Sequence, residues 1–379
     1  GLRDDVTRRV RAAIPLDRED EFVARIEALL GDEAVAGAAA VVIGRAGFAR
    51  AAVALALAAK RFPALEATLD TALRAIDSRA TDHLARALRQ ATGEDWVWLV
   101  RALDILGDIR GASALIARCE RGPEPDRHLI DALGRVTDRR AIPILFRCAK
   151  SVDSEVSDLA VRSLRAMTEK QPEAVAASLR ALSEDEYRDV RGVEIEGALG
   201  ANANEARILG VLDSGRDEHR PRAVRALAEL GSLAAFSRLP ALAFDAVLEV
   251  RVAAVIAMGL YPIDAIGALG AEKRRTALVS LLDDREPQVC EAAAAALACD
   301  DSDAAVGALA GTLRGAALSV AISAVRALAA IAARGRETAW REILAFAVDE
   351  MRRGSERFSN PLAIEVWKEA LSALATRAL

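Results

Sequence analysis

The chain contains the stretch Ala223-Val224-Arg225-Ala226-Leu227 and, further on, the identical stretch Ala324-Val325-Arg326-Ala327-Leu328. Close relatives of this stretch are Val100-Arg101-Ala102-Leu103 and Val161-Arg162-Ser163-Leu164. When one short pattern returns along a chain, it indicates an array of similar units, each of which buries its apolar face only against its neighbours. The sequence therefore predicts a repeat protein.

The spacing of the pattern predicts the size of one unit. The small residue of each copy falls at Ala102, Ala132, Ser163, Ala198, Ala226, Ala257, Ala296 and Ala327. Most copies are separated by roughly 31 residues, which accommodates two helices of about a dozen residues and two turns. Hydrophobic residues make up 53% of the chain and aromatic residues only 4%, so the apolar side chains are mainly Ala, Leu and Val. Such side chains favour closely packed helices over strands. We therefore predict an all-α fold, an α-solenoid of stacked antiparallel helix pairs.

A second signature precedes the small residue. Its fullest copy is Asp284-Arg285-Glu286-Pro287-Gln288-Val289, which leads into Ala296-Leu297. An acidic residue at this turn caps the following helix, and Pro287 suits the first helical position. We expect the valine that begins each buried stripe, at Val156, Val250 and Val289, to be buried.

These residues resemble the HEAT-repeat family, in particular its short bacterial type, which also occurs in phycobilisome lyase subunits. The resemblance covers residues 96–352 and implies a right-handed superhelix whose second helices line the concave side. It also implies that Asp284 and Arg251 link neighbouring repeats and do not contact a ligand. The excess of Arg over Lys agrees with a bacterial origin.

The regularity of the pattern changes along the chain. Residues 1–95 are expected to form irregular helical repeats and a cap, residues 96–352 the regular HEAT-like repeats, and residues 353–379 a loop and a capping helix. Between Ala257 and Ala296 the spacing lengthens, and Tyr261-Pro262 and Gly267 predict a broken helix or a longer loop there.

The sequence contains no pattern that is typical of an enzyme. There are three histidines, His83, His128 and His219, and none belongs to a set with metal-ligand spacing. The chain has no phosphate-binding glycine motif and no nucleophile motif. The four cysteines lack CxxC spacing and are expected to be small core residues in a reducing compartment. We therefore predict no catalytic residue, no cofactor and no metal.

The net charge of −5 argues against general affinity for nucleic acids or anionic membranes, and no apolar run is long enough to span a bilayer. We expect a cytoplasmic protein that binds neither membranes nor small molecules, and we do not expect nucleic acid as its main partner. The leading hypothesis is a non-enzymatic scaffold that binds a protein or peptide along its concave face. The alternatives are an enzyme-associated lyase-like subunit and a HEAT-like nucleic-acid-binding protein.

One pattern points to residues that contact the partner. An arginine recurs near one register of the predicted second helices, at Arg118, Arg147, Arg180 and Arg238. Stacked arginines would form a ladder that suits carboxylates or phosphates, so the partner would be acidic. In the alternative interpretation, the arginine stems cover the next repeat and their charged groups remain in water.

Overall fold

The structure is a computed structural model that describes residues 19–121, 126–213, 216–313, 317–357 and 361–378. Within these ranges the secondary structure is helical, without a strand, as the sequence predicted. The helices of the first half are α1 (Glu19–Leu29), α2 (Glu33–Ala46), α3 (Ala52–Arg61), α4 (Glu66–Ile76), α5 (Thr81–Gln90), α6 (Asp95–Leu106), α7 (Ala112–Cys119), α8 (Arg127–Val136), α9 (Ile142–Ala149), α10 (Ser154–Thr168), α11 (Pro172–Arg180), α12 (Glu184–Asp189) and α13 (Gly192–Gly197). The helices of the second half are α14 (Glu205–Asp213), α15 (Arg220–Glu229), α16 (Leu233–Phe236), α17 (Leu239–Leu242), α18 (Leu248–Leu260), α19 (Ile263–Ser280), α20 (Pro287–Leu297), α21 (Asp303–Thr312), α22 (Leu318–Ala333), α23 (Glu337–Arg357) and α24 (Pro361–Ala378).

The chain divides into two compact units, residues 1–195 and 196–379. In the first unit, helices α2, α4, α6, α8 and α10 are the first helices of successive repeats, and each packs on the next. The second helices are α3, α5, α7, α9 and α11, where α3 packs on α5, α5 on α7 and α9 on α11. The pairs α2/α3 and α4/α5 lie before residue 96 and stack in the same way as the later pairs.

The second unit repeats this arrangement. Its first helices α15, α18, α20, α22 and α24 pack on one another in sequence, and α19, α21 and α23 are second helices between them. Helix α19 contains a break at Gly267, whose φ of 67° and ψ of 174° are not helical. This break is the one predicted from the lengthened spacing. Helix α23 continues to Arg357, so residues 353–357 are helical, and residues 358–360 lie outside the described ranges.

Small residues allow the first helices to approach closely. At Gly44 a Cβ atom would lie 2.8 Å from the Cα atom of Ala72 on the next first helix, and at Gly134 it would lie 2.6 Å from the Cβ atom of Ser163. Ser163 is one of the small residues of the sequence pattern. Ala72, with Leu73 after it, is the same kind of small-Leu pair in the region that the sequence analysis treated as irregular. The recurring small residue therefore sets how closely successive repeats pack.

The valine prediction is confirmed at two of three positions. Val250 and Val289, each the third residue of its helix, are fully buried. Val156 holds the same position in α10 but is only half-buried, so the prediction was wrong there. The core of α10 starts instead at Leu159 and Ala160, one turn further on.

Candidate functional site

The turns between first and second helices are built by an Asp-x-Arg motif that the sequence analysis missed. Asp108 accepts a hydrogen bond from the backbone N–H of Arg110 at 3.0 Å, and Asp138 accepts one from Arg140 at 2.8 Å. Each arginine also binds its own aspartate, with Nη2–Oδ2 distances of 2.6 and 2.7 Å. These bonds hold the pKa of both aspartates below its usual value. The spacing of 30 between the two copies is a signal that could have revealed the motif.

The same arginines connect adjacent repeats. Arg110 donates to the carbonyl oxygen of Ser78 and forms an ion pair with Asp82 at 3.3 Å. Arg140 donates to the hydroxyl of Ser113 at 3.2 Å. The Asp-x-Arg turns therefore stabilise the stacking of second helices and are not available as a ligand site.

Acidic side chains on the first helices of the first unit also serve this stacking. Asp70 pairs with Arg101 of the next repeat at 2.8 Å, and Asp104 pairs with Arg135 at 3.1 Å. Burial is the main reason that the pKa of Asp104 is raised, although Arg135 opposes the shift. Much of the negative charge on the first helices is therefore neutralised inside the repeat array.

In the second unit, the residues that the family resemblance assigned to repeat linkage do link repeats. Arg251 is almost fully buried, and its Nε atom lies 3.8 Å from Oδ2 of Asp284. Its guanidinium also donates to the carbonyl oxygens of Asp245 and Ala246, at 3.0 and 3.2 Å. A guanidinium with these contacts has a structural role.

The four arginines of the predicted ladder have different surroundings. Arg147 and Arg180 are exposed, whereas Arg118 is half-buried, with its Cζ atom 4.6 Å from the ring centre of Trp96. Arg238 belongs to the second unit, lies between α16 and α17, and pairs with Asp213 at 2.7 Å. The cation–π contact and the ion pair each engage one guanidinium within the chain.

The structural register of these arginines also differs. Counted from the first residue of its helix, Arg118 is the seventh residue of α7, Arg147 the sixth of α9 and Arg180 the ninth of α11. Because one residue turns the side chain by about 100° around a helix, these three arginines occupy three different positions of the repeat. Arg147 instead matches Arg86, the sixth residue of α5, and Arg180 matches Arg89, the ninth residue of α5.

Among the sets of first and second helices in the two units, the second helices of the first unit carry the largest net positive charge. They carry seven basic and two acidic side chains, a net charge of +5, whereas the first helices carry seven basic and eight acidic side chains, a net charge of −1. The basic residues of the second helices are Lys60, Arg61, Arg86, Arg89, Arg118, Arg147 and Arg180. This local excess of positive charge contrasts with the net charge of −5 of the whole chain. The second helices of the second unit, α19, α21 and α23, have no such excess of positive charge.

Within the described ranges, no group of three or more His, Cys, Asp or Glu side chains is placed to hold a metal ion. None of the helices in these ranges is both long and apolar enough to cross a membrane. Cys119, Cys148 and Cys290 are buried and Cys299 is exposed, and all four are free thiols. Burial raises the pKa of the Cys119 thiol to about 12.

The repeat architecture matches known proteins. Residues 112–198 match a protein family described as HEAT repeats. This part of the chain consists of HEAT repeats. The match covers α7 to α13, and the helix pairs on both sides of it stack in the same manner. The phycobilisome-lyase subtype remains a prediction, because the match does not distinguish between types of HEAT repeat.

Solved structures share the α-solenoid fold of this chain. The Kap95:Nup1 complex aligns with a TM-score of 0.60 at 13% identity, over 97% of this chain and 58% of that chain. A structure of Kap95p binding to RanGDP aligns with a TM-score of 0.57 at 13% identity, over 97% and 57%. Kap121p bound to Pho4p aligns with a TM-score of 0.54 at 12% identity, over 94% and 46%. The chain thus spans about half the length of these proteins. A search of curated protein sequences finds no match.

Proposed function

We propose that this HEAT-repeat protein is a non-enzymatic interaction scaffold that binds a protein or peptide along the face formed by its second helices. The basic second helices of the first unit carry this proposal, because a net charge of +5 on one set of helices has no counterpart elsewhere in the described structure. Arg118, Arg147 and Arg180 are the proposed contact residues on these helices, Arg238 is proposed as a separate contact residue of the second unit, and the partner is acidic.

Two further observations support a scaffold over an enzyme. Charged side chains with little solvent exposure, such as Asp104 and Arg251, form links between repeats, and Asp138 pairs with Arg140 within its own turn. The solved proteins that share the fold are described as binding other proteins, namely Nup1, RanGDP and Pho4p. We propose the cytoplasm as the compartment in which the scaffold acts.

The test is affinity capture of partners from the native cell with the full chain, followed by binding measurements with the purified partner. The triple variant Arg118→Glu/Arg147→Glu/Arg180→Glu is expected to weaken binding by tenfold or more at low salt, because charge reversal replaces attraction with repulsion. Circular dichroism serves as the control for folding, because Arg118 packs half-buried against Trp96, whereas the exposed Arg147 and Arg180 contribute little to stability. If the partner binds this variant as tightly as the parent protein, these arginines do not form its site.

The same capture experiment distinguishes a scaffold from the alternative of a lyase-like subunit. Captured material that contains a coloured chromophore bound to the chain would favour a lyase-like subunit. A scaffold is expected to co-purify with its partner and without a prosthetic group.

A further inference from the structure

We infer that the second helices of the first unit bind an extended acidic polypeptide, with carboxylates spaced about three residues apart. This inference rests on the proposed scaffold function and names both the partner's chemistry and further contact residues. It rests on the position of each residue within its helix, counted from the first helical residue. The sequence pattern that predicted Arg118, Arg147, Arg180 and Arg238 did not include these positions.

The ninth position of the second helices forms a row of exposed charged residues. Its members are Lys60, Arg89, Glu120, Lys150 and Arg180. Glu120 and Lys150 directly follow the last residues of α7 and α9 and are ninth when counted from the helix start. Four of the five side chains are basic, and every one of them is exposed. The row runs through all five second helices of the unit.

A shorter row lies one turn earlier, at the sixth position. Arg86 and Arg147 occupy it in α5 and α9, and both are exposed, while α7 and α11 carry the small residues Ala117 and Ala177. Residues three apart lie on neighbouring parts of a helix face, so the two rows form one stripe.

The two lysines of this stripe are paired within the chain, whereas its arginines can bind a partner's carboxylates. Lys60 pairs with Asp95 at 3.0 Å and Lys150 pairs with Glu186 at 3.0 Å. In contrast, Arg86, Arg89, Arg147 and Arg180 form no ion pair or side-chain hydrogen bond with the described residues. The exposed acidic groups nearby on the second helices are Asp82, which pairs with Arg110, and Glu173. These four unneutralised guanidinium groups, two on α5 and one each on α9 and α11, attract carboxylates.

The spacing of the stripe sets the form of the partner. Packed helices lie about 8–10 Å apart, so five second helices place the ninth-position charges over about 40 Å. An extended chain advances roughly 3.3 Å per residue, so about three residues of a partner pass each repeat. One acidic residue in every three then meets one basic residue per repeat. Glu120 interrupts the row and would repel the carboxylate at that point.

The side chains on this face favour a peptide over a nucleic acid. Proteins that bind single-stranded nucleic acid combine positive charge with aromatic platforms on which the bases stack. The only aromatic residue of α3, α5, α7, α9 and α11 is Phe146, and it is buried. The face thus offers charge without a stacking surface.

The test measures binding of a fluorescein-labelled peptide with the sequence (Glu-Ser-Gly) repeated five times to the full chain at low salt. The variant Arg86→Glu/Arg89→Glu/Arg147→Glu is expected to bind at least about tenfold more weakly. Its matched control is Arg45→Glu/Arg74→Glu/Arg162→Glu, which reverses three exposed arginines on first helices that likewise lack ion pairs with the described residues. This control is expected to bind within about twofold of the parent protein.

Glu120→Lys provides a test that does not depend on loss of binding. Replacing the one acidic member of the row completes it and is expected to tighten peptide binding several-fold. Equal affinity of the parent, the Glu120→Lys variant and the stripe variant for the peptide would overturn the inference. Absence of binding of the peptide to the parent protein would also overturn it.

Labelled single-stranded and duplex DNA complete the set of probes. If DNA binds more tightly than the peptide and depends on the same arginines, the partner class is wrong and the face binds phosphates. A different result would contradict the proposed scaffold function. It is contradicted if a captured partner binds both the stripe variant and the variant of Arg118, Arg147 and Arg180 as tightly as it binds the parent protein. If the captured partner needs Arg118 and Arg180 but the acidic peptide does not bind, the scaffold stands and the stripe inference falls.

Discussion

Replacing Gly44 by alanine tests the close packing of first helices. The new Cβ atom would lie 2.8 Å from Cα, 3.0 Å from Cβ and 3.0 Å from the carbonyl oxygen of Ala72. Because two of these atoms belong to the backbone of the next repeat, the clash is relieved only if the helices α2 and α4 move apart. Forcing an extra carbon into a packed core typically costs about 1–3 kcal/mol.

Helix propensity acts in the opposite direction, which makes a matched control necessary. Alanine is about 1 kcal/mol more favourable than glycine inside a helix, so the expected net destabilisation by Gly44→Ala is about 1 kcal/mol, within a range of about 0–2 kcal/mol. Gly37 lies in the same helix α2, and a Cβ atom there would lie 3.6 Å from Cδ2 of Leu65, an ordinary contact. Gly37→Ala is therefore expected to stabilise the protein by ~0.5–1 kcal/mol.

The assay is thermal unfolding of both variants, followed by circular dichroism at 222 nm. A change of 1 kcal/mol shifts the melting temperature of a unit of this size by about 2–4 °C. Gly44→Ala is expected to melt several degrees below the parent and Gly37→Ala slightly above it. If the melting temperatures of both variants shift in the same direction, helix propensity and not contact between helices governs the two sites. That result would refute the argument about close packing.

Three further predictions follow from burial and charge. Val289→Asp is expected to destabilise the protein by about 3 kcal/mol or more, because it buries an unpaired carboxylate. Val156→Asp is expected to cost less than about 1 kcal/mol, because Val156 is only half-buried. Denaturant unfolding measures both free energies. The hydrogen bonds from Arg140 hold the pKa of Asp138 below the usual value near 3.9. They therefore stabilise the folded state fully above about pH 4, and this stabilisation is lost as the pH falls through the pKa of Asp138 in the folded state. Asp138→Asn should flatten the pH dependence of the free energy of unfolding in that range. Cys299 is the one exposed cysteine among the described residues, so a thiol reagent at neutral pH is expected to label one thiol per native chain, and labelling of several thiols would contradict the buried positions of the others.

The sequence could predict the repeat architecture because local and periodic features determine it. The recurring small residue at Ser163 and Ala296 is the contact at which one first helix meets the glycine of another, Gly134 or Gly259, and Ala226 on α15 meets Gly197 of α13 in the same way. Such a contact requires a small side chain in every repeat, so it leaves a regular trace in the sequence. The break at Gly267 was predictable for the same reason, since an insertion lengthens the spacing.

The boundaries of the pattern were less visible. The pairs α2/α3 and α4/α5 stack like the later repeats, with Gly44 and Ala72 as contact residues. Asp32 caps α2 in the manner of the acidic turn signature, but α4 begins without a side-chain cap. Many alanine-rich sequences satisfy the packing at these positions, so the pattern weakens while the structure persists. The Asp-x-Arg turns at Asp108 and Asp138, 30 residues apart, are a further periodic feature of the sequence.

The tertiary structure alone decided which arginines share a row. A difference of one residue between α7 and α9 rotates a side chain by about 100°, and the sequence does not show where each helix begins. It therefore could not show that Arg118 covers Trp96, or that Arg147 aligns with Arg86. Sequence composition determined the net negative charge of the chain, whereas the separation of a basic second-helix face from neutralised first helices arises only when distant repeats stack and pair their charges.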